Sequence, residues 1–209
     1  FLAGQSTTVT NMGIIYSSSP IFIFLISILF FRDKFNFLKI IGLFFCLMGV
    51  GLIIIKGELS VLRSLKFTSG DLWMLGSSIG WAIYSIFLFY WKTKLEIFQR
   101  FTLIALFGSL SLFPFYLFEE IFIKETIFNS QFFIWTLFAA ISPGIIAFTL
   151  YAVAQKKFGA SFTGFTLYIG TVYGAIYGVI FFDEKLEPYH YAGTILVFLG
   201  VYLAKKNYE

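Results

Sequence analysis

Long uncharged, mostly apolar runs alternate with short charged stretches along the whole chain. Residues 1 to 31, 40 to 55, 72 to 91, 101 to 118, 126 to 155, 158 to 182 and 188 to 204 hold no Asp, Glu, Lys or Arg. Each run is as long, or nearly as long, as the roughly 20 residues that cross a bilayer as a helix. The pattern therefore predicts an all-α integral membrane protein with about seven spans. Lys39 and Lys205 extend the second and last of them by laying their stems on apolar surface while their ammonium groups reach the headgroups.

One stretch of sequence occurs twice. "FFRDKF" at residues 30 to 35 returns as "FFDEKL" at 181 to 186, and at the same offset Gly42, Gly49, Val50 and Leu52 meet Gly193, Gly200, Val201 and Leu203. Five spans lie between the copies, an odd number, so the copies face opposite sides of the membrane. Inverted repeats of this kind are a common plan of secondary transporters, in which one half rocks against the other around a midplane site. The second copy begins near Ser69, so a complete first copy begins about 80 residues before Phe1, giving ten spans in two five-helix repeats. On that expectation residues 1–56 are the end of the third span with spans four and five. Residues 57–69 are an extracytoplasmic connection, and residues 70–207 are spans six to ten.

Composition agrees with a membrane location. The chain is 59% hydrophobic and 12% charged, against about a quarter charged in soluble domains. Its net charge of +4 comes from basic residues scattered in ones and twos between spans, with no basic stripe, so nucleic acid is not an expected partner. These residues read as topology signals instead. Arg32, Lys34, Lys39, Lys92, Lys94, Arg100, Lys156, Lys157, Lys205 and Lys206 fall in one set of alternate loops. Lys56, Arg63, Lys66, Lys124 and Lys185 fall in the other, with most of the acids, including Glu58, Asp71, Glu120, Glu184 and Glu187. The positive-inside rule puts the first set, and the C-terminus, in the cytoplasm. Trp73 and Trp91, roughly 27 Å apart along a helix, mark the two interfaces of one span.

Candidate chemistry lies within the spans. On the helix from 72 to 91, Ser77, Ser78, Trp81, Tyr84 and Ser85 share one face. For Trp81 and Tyr84 a cavity wall and interhelical glue stand level; for the serines glue is favoured. Gly170, Gly174 and Gly178 recur every four residues and read first as a close-packing track, second as a site. Thr166, Gly170, Tyr173 and Tyr177 share a neighbouring face, as cavity lining or as a large helix interface. "YSSSP" places Tyr16, Ser17, Ser18 and Ser19 before Pro20, where a missing N–H leaves hinge, kink and site open. Ser142, Pro143 and Gly144 form a similar weak point. Asp183 and Glu184 are adjacent loop acids, with Glu184 capping or fixing a loop. His190, just after Pro188, reads as interfacial. No G-x-x-x-x-G-K-[ST] loop occurs, Cys46 stands alone, and no metal or cofactor is expected.

These residues resemble the drug/metabolite transporter superfamily, EamA-type permeases in particular. In "FFDEKLEPYHYAGTILVFLGVYL", Glu184, Leu186, Gly193, Gly200 and Val201 fall in the register of the pattern that closes each repeat of that family. In "SPIFIFLISILFFRDKFNFLKIIGLFFCLMGVGL", Pro20 matches the family proline and Asp33 replaces the usual Glu. "GWAIYS" at 80 to 85 looks like the signature that opens the second half. Thr171 departs from the family, standing where the second repeat often carries proline. The resemblance implies a ten-helix carrier in the cell membrane, its termini cytoplasmic, exporting amino acids or other small metabolites. An intramembrane lipid-modifying enzyme and a non-transporting scaffold are the competing readings.

Overall fold

Threonine and asparagine side chains start several of the helices. Thr8 Oγ1 accepts from Asn11 N–H at 3.2 Å, Asn36 Oδ1 from Leu38 N–H at 2.9 Å and Asn129 Oδ1 from Phe132 N–H at 2.8 Å. Each satisfies a backbone donor that a helix N-terminus leaves without an intrahelical partner. The computed structural model describes residues 3–32, 36–122, 127–182 and 185–205. Among these residues there are helices and no strands: α1 (Val9–Tyr16), α2 (Ser19–Phe31), α3 (Phe37–Ile54), α4 (Leu59–Ser64), α5 (Ser69–Tyr90), α6 (Ile97–Phe122), α7 (Ser130–Ala139), α8 (Phe148–Phe158), α9 (Ala160–Phe182) and α10 (Pro188–Lys205).

The protein is a multi-span helical membrane protein. Among the described residues six segments are long and apolar enough to cross a bilayer: Val9–Phe31, Phe37–Ile54, Ser69–Tyr90, Ile97–Ile121, Ser130–Phe158 and Ala160–Phe181. The seventh expected span, α10, is not among them. Its first turn holds Pro188 and His190, and its end holds Lys205, which lowers the mean hydropathy of an 18-residue helix.

The chain forms two units, one of residues up to Trp91 and from Phe158 onward, the other Lys92–Lys157. In the first, α10 packs along α3. A Cβ on Gly42 would stand 2.5 Å from Gly200 O, and one on Gly49 would stand 2.5 Å from Gly193 O. Only glycine permits so close a backbone approach. Since Gly42 meets Gly200 and Gly49 meets Gly193, the two helices run antiparallel. Lys39, expected to snorkel, is buried instead. It continues the face formed by Gly42, Cys46, Gly49, Val50 and Ile53, so its stem is covered.

The segment Val9–Phe31 is broken. Pro20, second residue of α2, has no N–H for the carbonyl of Tyr16, and the chain passes from α1 to α2 through Ser17 and Ser18. Ser17 Oγ donates to Ile14 O at 2.6 Å and Ser18 Oγ to Ile15 O at 2.5 Å, covering carbonyls at the break. Helix α9 covers the same positions of the second repeat without interruption. The reason is Thr171, which keeps the N–H that Pro20 lacks.

In the second unit, the chain between α7 and α8 is π-helical over Ala140–Ala147, with Pro143 inside. A proline within a helix removes one bond of the ladder, and a wider turn is one accommodation. In α6, Thr102 Oγ1 donates to Phe98 O at 3.0 Å and Ser111 Oγ to Phe107 O at 2.8 Å. These two hydroxyls are thus satisfied within their own helix, whereas Ser78 Oγ on α5 donates across to Ile15 O of α1 at 3.3 Å.

Candidate functional site

A cavity of about 340 Å³ opens in the first unit beside the break between α1 and α2. Tyr16, Ser17 and Pro20 line it from the break, and Leu167, Tyr168 and Thr171 line it from α9. Each residue of the second group lies 151 positions after one of the first, so the two repeats contribute equivalent positions. Pro20 is the midpoint of Val9–Phe31, and Thr171 is that of α9. The cavity therefore begins at mid-span, where backbone freed by a helix break is tolerated only against protein or water.

From mid-span the cavity runs to one end of the helices. Val9 and Thr10 at the start of α1, Lys56 just after α3, Gly174 and Ala175 on α9, and Tyr189 and His190 at the start of α10 join the wall. His190 is buried, and its Nδ1 accepts from Glu187 N–H at 3.0 Å. This is the capping-box arrangement with imidazole in place of a carboxylate, and it leaves the proton of a neutral ring on Nε2. A second hollow of about 660 Å³ shares Tyr16, Leu167 and Thr171 with the first and adds Thr166, Gly170 and Tyr173.

The candidates named from sequence separate into groups. Tyr16, Pro20 and Gly174 line the first cavity, and Gly170 and Tyr173 the second. Ser18 lines another cleft, with Leu47 and Gly51. Trp81 and Tyr84 sit half-buried on α5 with ring centroids 5.5 Å apart, outside these walls. Ser77 is exposed and Ser85 is buried on the same helix. Tyr177 is exposed, its ring 5.9 Å from that of Phe181, and Gly178 is half-buried. Pro143 lies in the π-helical stretch, and Glu184 lies outside the described residues. A Cβ on Gly170 or Gly174 would meet nothing within 4 Å. Close backbone packing therefore belongs to Gly42, Gly49, Gly193 and Gly200, while Gly170 and Gly174 keep the hollow wide.

Two polar features escaped sequence reasoning. Lys56 faces the cavity from a left-handed backbone, φ 54°. Asp71, grouped with the loop acids by charge alone, is a buried first-turn residue of α5. Its carboxylate accepts from Thr7 Oγ1, from Asn11 Nδ2 at 3.1 Å on both oxygens, and from Thr68 N–H at 2.7 Å. Asn11 Nδ2 also reaches Lys66 O at 3.1 Å. The cluster ties α1 to the start of α5. The signal for it was local, a Thr followed three residues later by an acid.

The sequence pattern of the EamA-like transporter family matches residues 1–55 and 68–205. The chain belongs to that family. An uncharacterized transporter of Archaeoglobus fulgidus is 28% identical over 206 residues, 97% of this chain and 69% of that protein. The uncharacterized transporter YetK of Bacillus subtilis is 25% identical over 95% of this chain and 60% of its own length. The chain thus spans about two thirds of the curated relatives it matches. A solved crystal structure superposes with a TM-score of 0.77 at 15% identity, over 97% of this chain and 69% of that one; at this identity the likeness concerns the fold alone. As a member of the EamA-like family the protein is a membrane transporter.

Proposed function

We propose that this EamA-like protein is a secondary transporter of the cell membrane, moving small metabolites such as amino acids outward by alternating access. The observation that carries the reading is the cavity wall itself: Tyr16, Ser17 and Pro20 from one repeat, Leu167, Tyr168 and Thr171 from the other, at the middle of their spans. A midplane site between inverted halves is where such carriers bind their cargo. Its volume falls in the range of small-molecule sites. Lys56 and His190 lie at the end opposite Lys205, which the charge distribution puts in the cytoplasm. The cavity on this reading opens outward, and the Ser17–Ser18 break is the point at which α1 and α2 move independently.

The test is to fill the cavity without disturbing the fold. A side chain at Gly174 enters open space, so Gly174→Phe should leave membrane abundance intact and suppress efflux of amino acids and organic acids from cells expressing the full open reading frame. Leu29→Phe, on an exposed position, serves as the control. Wild-type efflux by Gly174→Phe overturns the reading.

A further inference from the structure

Lys56 occupies a backbone position that normally belongs to glycine. At the end of α3, Gly57 N–H donates to Leu52 O at 3.0 Å and Lys56 N–H to Ile53 O at 3.1 Å, the paired bonds of a Schellman motif. In that motif the residue at Lys56 takes the left-handed conformation, φ 54° here, which a side chain bearing a Cβ adopts at a cost. Gly57, the next residue, is left-handed as well. Strain of this kind points from an observed outlier toward a role for the side chain that causes it. The role open to Lys56 is in the cavity, whose wall it joins.

The chemistry of that wall is one-sided. Among the described residues lining it there is one ammonium, Lys56, one imidazole, His190, and the hydroxyls of Thr10, Tyr16, Ser17, Tyr168, Thr171 and Tyr189, with no Asp or Glu. His190 accepts a backbone hydrogen bond through Nδ1, so its remaining ring nitrogen presents an N–H. The rest is aliphatic or aromatic. A solute with a carboxylate and an apolar body finds a charge partner at Lys56 and apolar contact deeper in. A bare amine finds no counter-charge, and taking it out of water without one is strongly unfavourable.

Resting on the transport reading above, we infer that the cavity selects small apolar carboxylates and that Lys56 is the residue that sets this selectivity. An α-amino group on the cargo contributes nothing to recognition at this end of the site. The interaction is a charge-assisted hydrogen bond, whose loss weakens binding on the order of tenfold or more.

The test uses Thr171→Cys in a Cys46→Ser background, in right-side-out vesicles containing the product of the full open reading frame. Reaction with an impermeant thiol reagent is followed with phenylacetate, phenylalanine or phenethylamine present. Phenylacetate and phenylalanine should shield the cysteine and phenethylamine should not. Lys56→Arg should keep the shielding, while Lys56→Gly should weaken it about tenfold. Because glycine suits the left-handed position, Lys56→Gly should also unfold at a temperature no lower than the parent, which separates lost recognition from lost folding. A cysteine that no external reagent reaches overturns the outward-open cavity itself. A cysteine shielded equally by phenethylamine, or one whose shielding survives Lys56→Gly, overturns the carboxylate assignment alone.

Discussion

Cys46 points its thiol at the backbone carbonyl of Val197, 3.6 Å away, and the two residues are the same position of the two repeats, 151 apart. On one side of this contact Gly42 meets Gly200, and on the other Gly49 meets Gly193. Gly42 is the repeat equivalent of Gly193, and Gly49 of Gly200, so the contacts exchange into one another when the copies are exchanged. Two equivalent helices that pack antiparallel in this reciprocal way are related by a two-fold rotation across their axes. The sequence repeat and the helix packing express one symmetry.

Substitutions at these crossings should be severe. A Cβ on Gly49 would lie 2.5 Å from Gly193 O and 2.9 Å from Val197 N, and one on Gly193 would lie 2.7 Å from Gly49 O. Backbone cannot step aside as a side-chain tip can, and overpacking typically costs about 1–3 kcal/mol. Gly49→Ala and Gly193→Ala should each lower the thermal midpoint and membrane abundance, whereas Gly170→Ala should change neither. Equal tolerance at Gly49 and Gly170 would contradict the packing described.

The spans and the repeat were legible because a bilayer imposes length and apolarity on the chain, and these survive in one sequence. The four repeat-matched glycines were visible too, but not that they touch one another, since offset alone says nothing of which face meets which. The cavity was half legible. Tyr16 and Pro20 stood out through "YSSSP" and Thr171 only as a departure from the family's proline, while Leu167 carries no signal except its register with Tyr16. Asp71 was misplaced because a charge near a span end reads as a loop residue, and only the fold brings Thr7 and Asn11 to it. Lys56 was counted for its charge, and its left-handed backbone has no signature that Lys itself provides.

Breaking the polar clamp at Asp71 should reveal coupling between α1 and α5. Asp71→Ala leaves Asn11 Nδ2, Thr7 Oγ1 and Thr68 N–H short of an acceptor, and unsatisfied buried donors cost about 1–3 kcal/mol. Asn11→Ala should cost less, since Asp71 keeps Thr7 and Thr68. The double variant should be more stable than the sum of the two losses predicts, because the Asn11–Asp71 bonds are counted in both. Strict additivity in thermal denaturation would show that the two side chains act independently.

The loop charges predict an orientation that labelling can read. With Cys46→Ser as background, cysteines at Lys94 and Lys157 should react only with reagent supplied from the cytoplasmic side. Cysteines at Glu120 and Glu187 should react from outside. Reaction of all four from one side would contradict the inverted topology and the positive-inside assignment together.

The contrast between Pro20 and Thr171 gives the last prediction. The two positions are equivalent, yet α9 runs unbroken through Thr171 while the first copy breaks before Pro20. Proline in a helix interior costs about 3 kcal/mol or more, through one lost bond and a clash with the preceding turn. The first copy offsets part of this because Ser17 and Ser18 turn their hydroxyls onto Ile14 O and Ile15 O. Their equivalents in α9 are Tyr168, buried in the core beside Cys46 and Val197, and Ile169, and neither has a short hydroxyl. Thr171→Pro alone should therefore lower the thermal midpoint and abundance sharply. Adding Ile169→Ser should recover part of the loss, since that hydroxyl can bond the carbonyl of Thr166 as Ser18 bonds Ile15. In the first copy, Pro20→Ala should restore a continuous helix, hold or raise stability, and reduce flux per molecule, because the independent movement of α1 and α2 is then lost. Undiminished flux in Pro20→Ala would show that the break serves packing and not movement.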